Sequence, residues 1–505
     1  MALPKYLKNL DSLIFAVIGF FAIYHIYTSY SGIGISPDSI MYASTAHNIA
    51  THGTLITFNG GPLVFFPVFY PFFLSIILFI TRIDTITAAP VINGLLFAGL
   101  IFTTGVIVSK FRAPSLLYKW FILIAVILSP GLLEVYTYLW SETLFIFEVM
   151  LFVLAFRNYL KTHSINSLVL VSALVAISCI TRYAGVTLIL AGGLLLLLDA
   201  ELPIRKKVIH ILTFGFISIA LLVGNLILNR LSSGLSTGTR EPSITPLSQN
   251  LHNTGAVMCD WMGLPQTAYP YAIAICCLLL LLLVALLVLA FYKRRLSSTE
   301  SIVMMFAAAY GIFIPVLATF SRFETLNSRL LSPMYICLII GCTSWVPDML
   351  SRFKTNKKLL IAAPFVIMML IFEYGLYKID YQRWDDENDY GVPGYTDDDW
   401  NKSQFITFLK THKDIYKPGV PIYTDADEAV YFFTGSTATL LPHRYFKNTV
   451  TQFYNVKHYY LIWFGNLNNT ELIGLNDIRQ AEGLTKLYAY PEGAVYEYNA
   501  DAKMK

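Results

Sequence analysis

The chain has 505 residues, of which 56% are hydrophobic and only 13% charged, about half the charged fraction of an ordinary soluble domain. That balance excludes a water-soluble fold, and apolar runs of roughly 18 residues or more, each long enough to span a bilayer, recur from Leu13 to Leu376. The net charge of +4 is small, and the cations stand in short clusters between apolar runs, which argues against a nucleic-acid partner.

In chain order, Lys5 and Lys8 precede an apolar stretch of about 19 residues, longer than the core of a cleaved signal, so it reads as a retained first span. Further spans are predicted near 86–108, 120–134, 143–157, 167–181, 185–200, 208–229, 271–291, 301–320, 330–347 and 359–377, which makes about eleven with the first at 12–30. The stretch 65–80 is also apolar but short, with Pro67 and Pro71 near its start. Charge decides its treatment. If it does not cross, every basic cluster falls on one side: Lys110, Arg112 and Lys119; Arg157 and Lys161; Arg205, Lys206 and Lys207; Lys293, Arg294 and Arg295; Arg352, Lys354, Lys357 and Lys358. The positive-inside rule then sets the N-terminus inside and the C-terminus outside, with 65–80 at the interface in one long outer loop, 31–85.

Within that loop Pro37 and Asp38 open a helical stretch over 39–51, and Gly53 ends it. A second outer loop, 231–270, is rich in Ser, Thr and Pro and reads as a partly ordered cover. From Asp380 the composition turns polar. An acidic run, Asp385 to Asp389 and then Asp397 to Asp399, reads as a solvated linker into a small soluble unit. Helical periodicity over 400–412 and strand-like runs at 420–424, 459–464, 484–490 and 494–498 predict an α/β fold for it. The chain thus divides into a membrane part, 1–379, and a soluble extracytoplasmic accessory part, 380–505. Five cysteines lie in apolar runs as small hydrophobic residues, Cys259 alone looks accessible, and no spacing suggests a metal or a disulfide framework.

The segment Ser36, Pro37 and Asp38, with Tyr42, Ala43 and Gly53 following and then Phe66, Pro67, Tyr70 and Pro71, resembles the first outer loop of the GT-C superfamily of polyprenyl-phosphate-sugar glycosyltransferases. The likeness is to the branch of protein O-mannosyltransferases and the lipid A aminoarabinose transferase. Ser39, Phe66 and Val68 depart from that pattern. Ser141 and Glu142 resemble the acid that opens the fourth helix. Thr181 to Gly185 resembles an Arg-containing turn, and Arg329 with Pro333 resembles a late Arg-x-x-x-Pro element. All four elements fall on the outer side of the topology derived from charge alone.

The resemblance implies an α-helical polytopic membrane protein of GT-C type with outer juxtamembrane helices, and an inverting transfer of a hexose or pentose from a polyprenyl-phosphate carrier to an acceptor hydroxyl. A phosphate is a good leaving group, so the chemistry asks for a base on the acceptor and fixed positive charge on the phosphate. Asp38 is the candidate base, against an alternative role as helix N-cap. Glu142 would support it or orient the acceptor, against a plain solvated acid at a helix start. The two could share a divalent cation, although two carboxylates are few ligands for one. Arg182 and Arg329 would grip the phosphate, with Arg322 as a third cation, and Tyr42 and Tyr70 could stack on a sugar.

The expected partners are the lipid-linked donor, a protein, glycan or lipid acceptor and membrane lipids, in a bacterial inner membrane. Two other classes stay open. A transporter or flippase would place its ionisable residues at mid-membrane in paired repeats, and a membrane-anchored glycan-assembly or binding protein would work through the C-terminal part.

Overall fold

The computed structural model describes residues 9–238, 240, 242–322, 324–465, 467 and 469–500, so Lys5 and Lys8 lie outside the described residues. Among the described residues eight helices are long and apolar enough to cross a membrane, from Leu10–Tyr27 to Lys357–Tyr390. One of the remaining predicted spans, near 120–134, is a pair of helices, Leu116–Ile127 and Pro130–Tyr136, bent by 52°. Pro130 sits at the first turn of the second helix, where its missing N–H costs nothing, and Ser129 caps that helix by accepting the amide of Leu132. The last two, Ile165–Thr181 and Val186–Leu198, are helices of 17 and 13 residues with a 3-10 turn of 3 residues, Tyr183–Gly185, between them. Every predicted span is therefore helical, while the eleven separate crossings reduce to eight long helices, a bent pair and two short helices.

The ambiguous stretch is the helix Phe69–Thr81, of 13 residues. At roughly 20 Å it is shorter than the ~30 Å hydrocarbon core. The cover loop 231–270 is more ordered than predicted, with a helix Leu247–Trp261 packed on its neighbours. Cys259 lies on that helix and is buried, which corrects its predicted accessibility.

The last long helix, Thr355–Tyr390, runs for 36 residues and carries the first acidic run on its final turns, so no linker begins at Asp380. Arg383 explains the continuation: it donates to the carbonyl of Pro130 at 2.9 Å and faces Glu134 and Glu387, which docks these turns on the bent pair. The chain turns away at Gly391, which has φ 88. Beyond it, residues 392–396 are stitched to the segment just before Asp38: the amides of Val392 and Tyr395 bond Ser31 Oγ and the Ile35 carbonyl, and the Thr396 hydroxyl bonds the Ile33 carbonyl.

The C-terminal part holds a mixed sheet of β1 (Ile422–Thr424), β2 (Thr439–Leu440), β3 (His458–Phe464), β4 (Thr485–Tyr490) and β5 (Gly493–Asn499), in the order β2-β1-β3-β5-β4. β1 is parallel to β2 and β3, and β5 runs antiparallel to β3 and β4. The helices Asp427–Thr434 and Lys447–Tyr454, which lead from β1 to β2 and from β2 to β3, supply the crossovers that parallel strands require. The α/β expectation is met. β2 and these helices were not predicted, because they are too short to show a period.

Candidate active site

The helix Pro37–His52 begins with a reciprocal cap in which Ser36 and Ser39 exchange hydrogen bonds. Asp38 is therefore not the cap; it stands one turn position inside, with its carboxylate free to face across the molecule. It meets the guanidinium of Arg329, to which it is hydrogen-bonded. Arg329 follows Asn327, whose side chain caps the short helix Ser328–Leu331 by accepting the amide of Leu330 at 3.0 Å. Gly131 permits the close approach of this turn, since a Cβ there would lie 2.5 Å from Ser328 Oγ and 2.6 Å from Trp261 Nε1.

Glu142 is the first residue of the helix Glu142–Thr162 and is fully buried. It is not the solvated acid that was the alternative. One carboxylate oxygen accepts Arg329 Nε at 2.6 Å and the other meets an Arg182 terminal nitrogen at 2.5 Å. Arg182 caps the end of Ile165–Thr181 with an extended backbone, and the chain then makes its 3-10 turn. Gly185 is required in that turn, because a Cβ would fall 2.6 Å from the carbonyl oxygen of Ser178.

Ser141 ties the cluster together, bonding Arg182 at 2.9 Å and the Tyr42 hydroxyl at 3.1 Å. Trp140 lies flat against Arg329, 4.0 Å from guanidinium to ring centroid, and its indole N–H bonds Ser36 at 2.7 Å. Two carboxylates and two guanidinium groups from four distant segments thus form one alternating chain, Asp38, Arg329, Glu142, Arg182. Such a set is held by mutual pairing, and removing Glu142 would take the shared anion from both guanidinium groups.

Two cavities meet at Asp38. The larger, of 1060 Å³, opens between the 37–66 region and the C-terminal unit, and Asp427 and Glu428 line its far wall. The smaller, of 540 Å³, runs between helices; Tyr42, Arg182, Tyr310 and Arg329 face it, and Ile314, Leu317, Leu326 and Leu330 give it an apolar lining. Asp38, Phe65 and Phe66 line both. Arg182 lines the smaller cavity, while its Nε is buried without a hydrogen-bond partner. Burial and the neighbouring carboxylates of Asp38 and Glu142 push the Tyr42 hydroxyl above its usual range, which keeps it a neutral donor.

The predicted residues do not all gather here. Tyr70 is fully buried with its ring edge-on to Tyr42, centroids 5.0 Å apart, so it braces Tyr42 and does not face a sugar. Arg322 bonds Glu471 at 2.7 Å and lies over the Tyr445 ring, joining the C-terminal unit and not the cluster. No group of three or more His, Cys, Asp or Glu side chains among the described residues could hold a metal. The positive charge between Asp38 and Glu142 is that of Arg329, which a divalent cation shared by the two would have to displace. The sequence also missed Arg240 and Glu324, which line the smaller cavity from polar segments without periodicity or motif.

No protein-family model and no curated protein sequence matches the chain. Solved structures do. ArnT from Cupriavidus metallidurans in the apo state superposes with a TM-score of 0.59 at 11% identity, over 97% of this chain and 98% of that one. The same protein bound to undecaprenyl phosphate gives 0.56 at 12% identity, over 98% of both chains. The chain has the GT-C fold. The archaeal oligosaccharyltransferase AglB from Archaeoglobus fulgidus, in complex with an inhibitory peptide and a dolichol-phosphate, also superposes at 0.56 with 10% identity, over 92% of this chain and 70% of that one. At such identities the likeness lies in the path of the backbone, which in this chain brings Asp38, Glu142, Arg182 and Arg329 together from four separated segments.

Proposed function

We propose that this chain is a membrane glycosyltransferase that moves a sugar from a polyprenyl-phosphate carrier to an acceptor hydroxyl, on the non-cytosolic face, with Asp38 as the base. The observation that carries this reading is the position of Asp38 on the wall of both cavities. A group at that junction touches whatever enters from either side. The smaller, more apolar cavity suits the carrier, with its phosphate against Arg182 and Arg329, and the undecaprenyl phosphate and dolichol-phosphate in the two structural relatives support a lipid phosphate. The larger cavity, open toward the C-terminal unit, suits the acceptor.

In the reaction the acceptor oxygen attacks the anomeric carbon from the face opposite the phosphate, and its proton passes to Asp38. The bond from anomeric carbon to phosphate oxygen breaks, its electron pair leaving with the phosphate, so the products are an inverted glycoside and the polyprenyl phosphate. The guanidinium groups stabilise charge as it develops on the leaving oxygen, where fixed donors have most effect. Glu142 holds both of them from behind, as a positioning residue. Arg329 orients Asp38 before the acceptor arrives.

The charge pattern supports an inner-membrane arrangement with the N-terminus inside and the α/β unit outside, the membrane part then ending at Tyr390 rather than at 379. The acidic wall of Asp427 and Glu428 would contact the acceptor. The test is a transfer assay with purified, full-length protein and a panel of radiolabelled polyprenyl-phosphate sugars, with release of polyprenyl phosphate followed directly. Release that depends on the enzyme and on one sugar is expected; no release with any donor, including slow hydrolysis without acceptor, would end this reading.

A further inference from the structure

At the other end of the same helices lies a second charged cavity, of 440 Å³. Arg157 and Lys161 reach it from the last turns of Glu142–Thr162, so the cavity sits roughly 22 Å or more along that helix from Glu142 at about 1.5 Å per residue. Lys110 and Arg112 enter from the turn after Thr85–Val108, and the run Lys293 to Arg295 enters from the turn before Thr299–Phe320. The positive-inside rule asks only that cations stand near the membrane on one side. It does not ask that three separate loops bring seven of them to one hollow.

The local structure is built around that convergence. Arg294 has φ 51, a left-handed conformation that L residues other than Asn and Asp rarely adopt, and it folds the turn so tightly that the Arg295 amide bonds the Ala290 carbonyl at 2.7 Å. The helix Thr299–Phe320 starts in the cavity wall, capped by Ser298, so the positive end of its dipole faces in. Arg157 is fixed by its bond to Thr299 Oγ1 at 2.7 Å.

Counter-charge falls short. Glu300 accepts the backbone amide of Arg112 at 2.8 Å, and Asp348 is shared between Arg295 at 3.7 Å and Arg352 at 2.6 Å. Burial, together with the charges of Arg157 and Lys161, holds the Lys110 ammonium below its usual range.

We infer that this cavity binds a phosphate-bearing anion, supplied by a soluble phosphoryl compound or by the headgroup of an anionic phospholipid, at the end of the bundle opposite Asp38. Guanidinium forks, ammonium groups, the Ser297 hydroxyl and a helix N-terminus are together the donor set that phosphate oxygens take up. Nothing in the inference depends on the transfer reaction.

The test uses full-length protein stripped of lipid in detergent. Inorganic pyrophosphate is titrated by calorimetry, and in parallel the protein is exposed to micelles containing phosphatidylglycerol or phosphatidylcholine and the retained lipid is counted by native mass spectrometry. Lys161→Gln with Lys293→Gln should weaken binding at least tenfold, and Lys161→Gln alone, at an exposed position, by a smaller factor. Arg205→Gln with Lys206→Gln, which removes the same charge from another loop, should leave it unchanged. Saturable pyrophosphate binding assigns a soluble phosphate; retention of phosphatidylglycerol over phosphatidylcholine, without pyrophosphate binding, assigns a lipid headgroup. Absence of both in the wild type, or equal loss in the two double variants, overturns the inference.

Discussion

At the Asp38 end of the bundle two carboxylates and two guanidinium groups neutralise one another in a mostly buried chain, whereas at the Lys110 end seven cations line one hollow that Glu300 and Asp348 only partly offset. The difference separates two ways of handling charge near a membrane. A balanced set stands without a ligand, so its donors and acceptors are already in place when substrate arrives, at the cost of strong interdependence. An excess of one sign stays near water and waits for a partner.

That contrast can be broken first at Glu142, where the largest effect is expected. Glu142→Gln leaves Arg182 and Arg329 without their shared anion in a fully buried site, which costs about 3–5 kcal/mol; a fall of that size in denaturant unfolding would appear together with loss of transfer. Lys161→Gln, at the other end, should change stability by no more than about 0.5 kcal/mol, as an exposed residue usually does. Stability losses of equal size at the two ends would remove the distinction.

Arg329→Lys keeps the charge but replaces a fork that spans two carboxylates with a point charge. A loss of about 2 kcal/mol in charge-assisted hydrogen bonding corresponds to roughly thirtyfold weaker binding of the lipid-phosphate donor, measurable as a rise in KM. The acidic wall of the larger cavity gives a prediction in pH. Burial and the nearby Asp427 push the Glu428 carboxyl up to about 8, well above its unfolded value, so the folded protein binds the extra proton between those two values. Stability from this group is complete at low pH and is lost as pH rises through about 8. The thermal transition of the wild type should therefore fall between pH 5 and pH 8 more steeply than that of Glu428→Gln. The smallest effect is expected from Tyr42→Phe, which removes one bond to Ser141 and should slow transfer only a few-fold, about 1 kcal/mol.

The sequence carried the membrane part well because crossing a bilayer demands long apolar runs, a local property: all the predicted spans are helices. It also indicated Asp38, Glu142, Arg182 and Arg329, through the order of four short motifs. Their pairing was beyond reach, since Glu142 looks like an ordinary acid at a helix start until Arg182 and Arg329 arrive from 40 and more residues away, and only packing makes it buried. The same reason governs the misplaced residues. Tyr70 stands in an apolar run and Cys259 beside Asp260 in a segment that reads as a loop, and the burial of both is set by packing, while Arg322 finds Glu471 149 residues further on. The acidic run after Asp380 read as a linker because its anchor, Arg383 on Glu134 and the Pro130 carbonyl, is tertiary. At the Lys110 end the cations were legible as markers of orientation, but their convergence depends on where three loops end.

The central claim is that Asp38, at the junction of the two cavities, takes the proton from the acceptor. Single-turnover transfer by Asp38→Asn, a nearly isosteric change that removes the base, tests it most directly when donor binding is measured on the same samples. The rate should fall by about 10²–10⁴ while the lipid-phosphate donor still binds within a few-fold of the wild-type affinity. Transfer at the wild-type rate by the asparagine variant would contradict it.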